Sequence, residues 1–224
     1  MAIRPIFIPI IGADLVKEVP VSFKWSPGMA VSQKKKNVIA IQAGAKVLGF
    51  EPLLEISTKS DSELGRRCSA FNLRYKCKDG VWRTVEGIFH GSKVFSHGGP
   101  YFDLLDMIGG EIKKDTRLVN SGKLIAFEFE DTRWPLEPKT LFYDWIYIQA
   151  LIQNYSSIEE IINFAGFSDI EFNPKRSINC QARSAALFVS IKRNRIEEMI
   201  YDNKTFIKQR KKVEPMNLKQ GTLL

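Results

Sequence analysis

Two strand-like runs on either side of Lys78-Asp79-Gly80 constrain this chain more than any other feature, because Asp-Gly is among the strongest short-range hairpin signals. With these three residues as the loop and Gly80 at the bulge position, Cys77 faces Val81 and, counting back, Asn72 faces Glu86. From Glu86 the pattern turns helical, with Phe89 and Phe95 apolar and small or polar residues between them. Glu86 and Lys93 are seven positions apart, two helical turns, which sets them on one face. The segment therefore predicts a hairpin feeding a helix, with an amide (Asn72), a carboxylate (Glu86) and an amine (Lys93) lining one wall of a pocket. Plain structural roles stay open for all three. Asn72 can satisfy a strand end, Glu86 can favour a helix N-terminus through the dipole, and Lys93 can sit on a solvated face.

The rest of the chain predicts strands and helices in mixed order. Met1–Ile11 is apolar but carries two prolines and no small-residue cleavage site, a poor signal peptide and a better first strand. Val31-Ser32 ahead of Gln-Lys-Lys-Lys reads as a staple and N-cap opening a helix that ends at Gly49. Lys34, Lys35 and Lys36 fall in its first turn, against the macrodipole, which hints at an acidic partner. Strands are expected over Pro52–Ser57 and Lys123–Glu130, and helices over Pro138–Asn154, Ser156–Ala165 and Ser177–Arg193. Residues after Tyr201 read as a fraying helix or a disordered tail. This mixture, without regular alternation, is an α+β pattern.

Composition narrows the function classes. With 224 residues and 44% hydrophobic content, one sizeable core and one domain are the default. No apolar run is long enough for a membrane-spanning helix. Cys68, Cys77 and Cys180 lack C-x-x-C spacing, which argues against structural zinc and a disulfide framework and fits a reducing cytoplasm. Two histidines, His90 and His97, argue against a His-rich metal centre, and there is no G-x-S-x-G elbow. The net charge is +8, and Lys192–Lys219 holds +5 of it, nine basic residues against four acidic. That surplus fits attraction to phosphates, and equally a solvated tail.

Ser69-Ala70-Phe71-Asn72-Leu73, Trp82-Arg83-Thr84-Val85-Glu86 and Phe89-His90-Gly91-Ser92-Lys93-Val94-Phe95 resemble the core motif of the NADAR (YbiA-like) superfamily, a pattern close to F-L-S-N-F followed by W-P-T-x-E-x-x-F-Q-x-x-K-F. Phe142-Tyr143-Asp144-Trp145 is similar to the family's D-W segment and Asp169-Ile170-Glu171 to its L-V-E segment. Asn179-Cys180-Gln181-Ala182 through Leu187-Phe188 resembles its N-x-L-G-x-x-L-M helix. The likeness spans roughly residues 50 to 192, specific in the Asn72–Phe95 block and looser beyond. Phe23–Gly28, Gly91–Phe95, Trp134–Thr140 and Ile170–Lys175 continuing to Ser190 resemble one subfamily more closely. Its members are NADAR antitoxins encoded beside guanine-specific DNA ADP-ribosyltransferase toxins of the DarT type.

The resemblance implies a single compact, mainly helical domain with a small β-sheet over residues 1–201, and a basic tail over 202–224. It implies cytoplasmic N-glycosidic removal of ADP-ribose from guanine in DNA, with ADP-ribose as product, a DarT-type toxin as functional partner, and neither cofactor, metal nor membrane. Glu86 is the candidate acid/base, its pKa expected to rise with partial burial. Lys93 captures the aldehyde-level C1 of a ring-opened ribose as a Schiff base, or serves as a point charge on the diphosphate. Asn72 would hold a ribose hydroxyl, and Asp144, Asp169 or Glu171 would orient ribose or water. Trp82, Trp134 and Trp145 are candidates to stack on a base, each with a core role as the alternative. Lys175, Arg176 and Ser177 at a helix N-terminus, with Asn179 beside them, would cradle the diphosphate, or form an exposed capped turn. Gly98-Gly99-Pro100-Tyr101 is expected as a flexible loop near the site. Gly87 stands where many members carry histidine, which removes a possible proton partner for Glu86. Two other readings stay open: an N-glycosidase for a riboflavin-pathway metabolite, and a non-catalytic module binding ADP-ribose or the toxin.

Overall fold

The structure, a computed structural model, describes residues 1–107 and 109–217, with the side chains of the last helix described as far as Lys211. In chain order the strands are β1 (Ala2–Pro9), β2 (Val16–Phe23), β3 (Leu53–Glu55), β4 (Arg74–Lys76), β5 (Trp82–Thr84), β6 (Lys93–Phe95), β7 (Leu124–Phe129), β8 (Thr132–Trp134) and β9 (Gly166–Ser168). The α-helices are α1 (Val31–Val47), α2 (Glu63–Arg67), α3 (Val85–Gly91), α4 (Arg117–Asn120), α5 (Leu141–Gln153), α6 (Gln181–Asn194) and α7 (Asn203–Asn217). The mixed α+β reading holds. Instead of one small sheet, however, there are three among the described residues, of four, two and three strands. None of the described helices is long and apolar enough to cross a membrane.

The chain divides into two compact units. The first, residues 1–72 and 155–196, holds the sheet β2-β1-β9-β3, in which only β3 and β9 run parallel. Ile6, Ile8, Val21, Phe23, Val38, Ile41 and Ala45 form its core between that sheet and α1. Gly44 brings α1 close: a Cβ there would stand 2.5 Å from the Val21 side chain. Ala182, Ala185 and Ala186 are fully buried on α6, the close packing expected of small residues.

Three details of this unit differ from expectation. Ala30, not Ser32, is the N-cap of α1, and no side chain caps it. Two of its three misplaced lysines find partners inside the chain, Lys34 with Glu171 at 2.9 Å and Lys35 with Asp61 at 2.5 Å, so these two call for no external acid. The helix expected over Ser156–Ala165 is a pair of 3-10 turns, Tyr155–Ser157 and Glu159–Asn163. Ile158 and Ile161, three apart and both buried, suit that tighter winding.

The second unit, residues 73–154 and 197 onward, carries the β4–β5 hairpin and the antiparallel sheet β6-β7-β8. The hairpin has the expected register: Cys77 N–H donates to Val81 O, Gly80 takes φ +82°, and Arg74 pairs with Thr84. Glu130 and Asp131 both have positive φ in the two-residue loop between β7 and β8, as a primed hairpin turn requires. Phe127, Phe129, Trp134 and Phe142 stack into an aromatic core under α5, and Trp145 meets Phe206 of α7. Trp134 is 1% exposed, which makes it a core residue rather than a stacking platform. The region after Tyr201 forms α7 as far as Asn217; the last part of the expected tail, residues 218–224, lies outside the described residues.

Candidate functional site

The hairpin delivers the chain directly into α3. Thr84 ends β5 and caps the helix, its Oγ1 accepting from Gly87 N–H at 3.1 Å. Every residue from Val85 to Gly91 is buried, so the helix is a core element only seven residues long. Gly87 and Gly91, one turn apart, let it lie against the 3-10 turn Phe102–Asp106. A Cβ on Gly87 would stand 2.8 Å from Leu105 O, and one on Gly91 2.8 Å from Leu105 Cδ2. The histidine that many family members place at position 87 has no room here.

Glu86 occupies the first turn of α3 and is 6% exposed. Its Oε1 meets His90 Nε2 at 3.2 Å and Lys113 Nζ at 2.7 Å, Lys113 arriving from the 3-10 turn Gly109–Lys114. On the far side of the imidazole, His90 Nδ1 lies 3.0 Å from Lys93 Nζ. The Lys93 ammonium also sits 4.8 Å from the centre of the Phe89 ring. Lys93 is not on the helix, as the two-turn spacing implied. Ser92 caps α3, and Lys93 opens β6, paired with Phe127 of β7. It reaches Glu86 through His90 instead of lying above it on one face.

The charges are set by competition. Burial works to raise the Glu86 pKa, but the His90 hydrogen bond and the Lys113 charge overcome it and hold the carboxyl at about 2. The expected upward shift is therefore corrected, because pairing outweighs desolvation. Burial lowers Lys93 to about 8, with Glu86 opposing and Lys113 adding to the shift. Burial and the two lysine charges likewise push His90 below its ordinary value. An ionised Glu86 only accepts hydrogen bonds, so Nε2 carries the imidazole proton and Nδ1 accepts from Lys93. The result is a continuous donor–acceptor line from amine through imidazole to carboxylate. His90 and Lys113 are the residues that sequence reasoning missed. The i,i+4 spacing of Glu86 and His90 was a signal for the first; nothing local marks Lys113.

Other predicted residues have separate surroundings. Asp144 is 1% exposed, and its Oδ2 accepts from Thr140 Oγ1 at 2.7 Å and Arg210 at 3.3 Å. Trp82 is 43% exposed on β5. Asn72 lies in the first unit, where its side-chain amide donates to Arg66 O at 2.8 Å. In the same unit Asp169 accepts from Glu171 N–H, Phe172 N–H and Gln181 Nε2, while Glu171 pairs with Lys34. Burial, then the charge of Glu55, raises Asp169; Glu55, itself raised by burial, accepts from Ser168 Oγ and Ile170 N–H. Glu55 carries no local signal of this role. Lys175, Arg176 and Ser177 are exposed in a turn, and α6 begins only at Gln181 with Cys180 as N-cap. These three are therefore not a helix N-terminus. Among the described residues, the buried side-chain oxygen of Asn179 has no hydrogen-bond partner. The Gly98–Tyr101 loop is tied down: Phe95 N–H donates to Gly98 O, Tyr101 N–H to Gly91 O, and the Tyr101 hydroxyl bonds Ser121 Oγ.

The chain is thus an α+β protein with a buried carboxylate–imidazole–amine line beside a short glycine-packed helix. A sequence model of the family described as DarT1-associated NADAR antitoxin matches residues 2–220, and the chain belongs to that family. No curated protein matches it.

Proposed function

We propose that this antitoxin is an N-glycosidic hydrolase that removes ADP-ribose from guanine bases of DNA. The observation that carries the reading is the Glu86–His90–Lys93 line, which pairs an ionised carboxylate with an amine poised near neutrality. The chemistry needs a nucleophile at the sugar C1 and a proton for the departing nitrogen. The line supplies both in one transfer. Lys93 passes a proton to His90 Nδ1 while His90 Nε2–H passes one to Glu86, leaving a neutral amine and a protonated carboxyl. Lys93 then bonds C1 of the ring-opened ribose, and Glu86 protonates guanine as the C1–N bond breaks. Water hydrolyses the Schiff base, releases ADP-ribose and returns the amine.

Burial favours this role for Lys93 over a point charge on diphosphate, which asks for a permanent cation.

The test is incubation of guanine-ADP-ribosylated single-stranded DNA with wild type, Glu86→Gln and Lys93→Ala, following free ADP-ribose by mass spectrometry. Release by wild type alone supports the reading. No release by folded wild type moves the function to a metabolite N-glycosidase or to a module that only binds ADP-ribose or the toxin.

A further inference from the structure

The β4–β5 hairpin has two unlike faces. Alternation along β4 sets Tyr75 on one side and Arg74 and Lys76 on the other, and the register places Lys76 opposite Trp82. The Tyr75 side is satisfied: its hydroxyl donates to Glu130 at 3.0 Å, and its ring meets Phe129. Arg83, paired with Tyr75, is held by Asp79 at 2.6 Å and by Asp106 at 2.7 Å. Lys78 in the loop is neutralised by Asp131 at 3.1 Å. On the other face the Arg74 and Lys76 head groups make no hydrogen bond or ion pair among the described residues, although Asn154 and Gln153 fix their backbones. Between Arg74 and the 3-10 turn Phe102–Asp106 runs a cleft of about 220 Å³, lined by Arg74, Trp82, Thr84, Met107 and the Arg83–Asp106 ion pair among others. Thr84 is also the N-cap of α3, so the cleft opens beside the helix that carries Glu86.

An exposed indole next to two free cations, on a chain of net charge +8, fits a polyanion that also offers flat aromatic faces. We propose that this hairpin face is a subsite for single-stranded DNA flanking the modified guanine: Trp82 stacks on an unpaired base, and Arg74 and Lys76 neutralise the adjoining phosphates. The proposal rests on the DNA reading above and adds to it a strand preference, since bases already stacked in a duplex have no free face for the indole. Two cations alone would bind duplex and single strand alike.

The experiment is fluorescence anisotropy of a labelled, unmodified oligothymidylate and of a duplex of equal length, titrated with the full chain. Because the DNA is unmodified, the result does not depend on hydrolysis. Trp82→Ala is expected to weaken single-strand binding about tenfold and to remove most of the preference over duplex, while Trp82→Phe keeps it. Arg74→Gln with Lys76→Gln is expected to flatten the salt dependence of single-strand binding by about 1.4 in log–log slope. Melting curves matching wild type confirm that each variant is folded. Unchanged single-strand affinity in folded Trp82→Ala, or an unchanged salt slope in the double variant, overturns the subsite even if the protein releases ADP-ribose.

Discussion

Lys93 Nζ lies 3.0 Å from Nδ1 of His90, so the imidazole stands between the amine and the Glu86 carboxylate as the link of that line. This contact joins a lysine and a glutamate from different secondary-structure elements into one hydrogen-bonded line.

The first consequence is for pH dependence. Lys93 hands its proton through His90 to Glu86, so the reactive line keeps that proton, and it is lost to solvent around the Lys93 pKa of about 8, below the ordinary 10.5. ADP-ribose release should therefore be level below about 8 and fall as pH rises through it. A rate that rises over that interval would oppose the internal proton transfer.

Removing the imidazole should break the line without removing either end. His90→Ala is expected to lower turnover by about 10²-fold. His90→Gln can bridge the same two groups but cannot relay a proton, so it should recover only part of the rate. Steady-state rates across pH for the two variants check this.

Glu86 also links pH to stability. Its folded pKa of about 2 is below the usual 4.5, so its stabilisation is complete above 4.5 and is lost as pH falls through about 2. The stability difference between wild type and Glu86→Gln, measured by urea unfolding, should shrink across that window and stay constant above it.

Gly87 is held by its neighbours rather than by its backbone angles. Gly87→Ala drives a methyl group against Leu105 O at 2.8 Å and should cost about 1–3 kcal/mol by overpacking. Gly87→His should be worse, and should not supply Glu86 with a second imidazole. Thermal melting and activity per folded molecule measure both effects.

Asp144 serves the interior of the second unit. Asp144→Ala removes the carboxylate that Arg210 meets at 3.3 Å and should destabilise by about 3 kcal/mol, read as a lowered denaturant midpoint.

These residues also show where the sequence was legible. Asp79-Gly80 marked the hairpin and its register because turn chemistry is local. The β1 strand and α1 followed from apolar runs and periodicity for the same reason. Lys93 was expected on the helix because its spacing fitted, but pairing with β7 drew it into a strand, a tertiary choice that spacing does not encode. Glu86 was expected to have a raised pKa because burial was foreseeable, whereas Lys113, far along the chain, was not. The first turn of α1 looked electrostatically wrong only because Glu171 and Asp61 are distant in sequence.

The central claim is that Lys93 becomes covalently attached to the sugar. Borohydride added during turnover of guanine-ADP-ribosylated DNA, followed by peptide mass spectrometry, tests it directly. The account predicts an ADP-ribose adduct on Lys93 in wild type and none in Lys93→Ala. An active enzyme that yields no adduct at Lys93 under reducing conditions would contradict it.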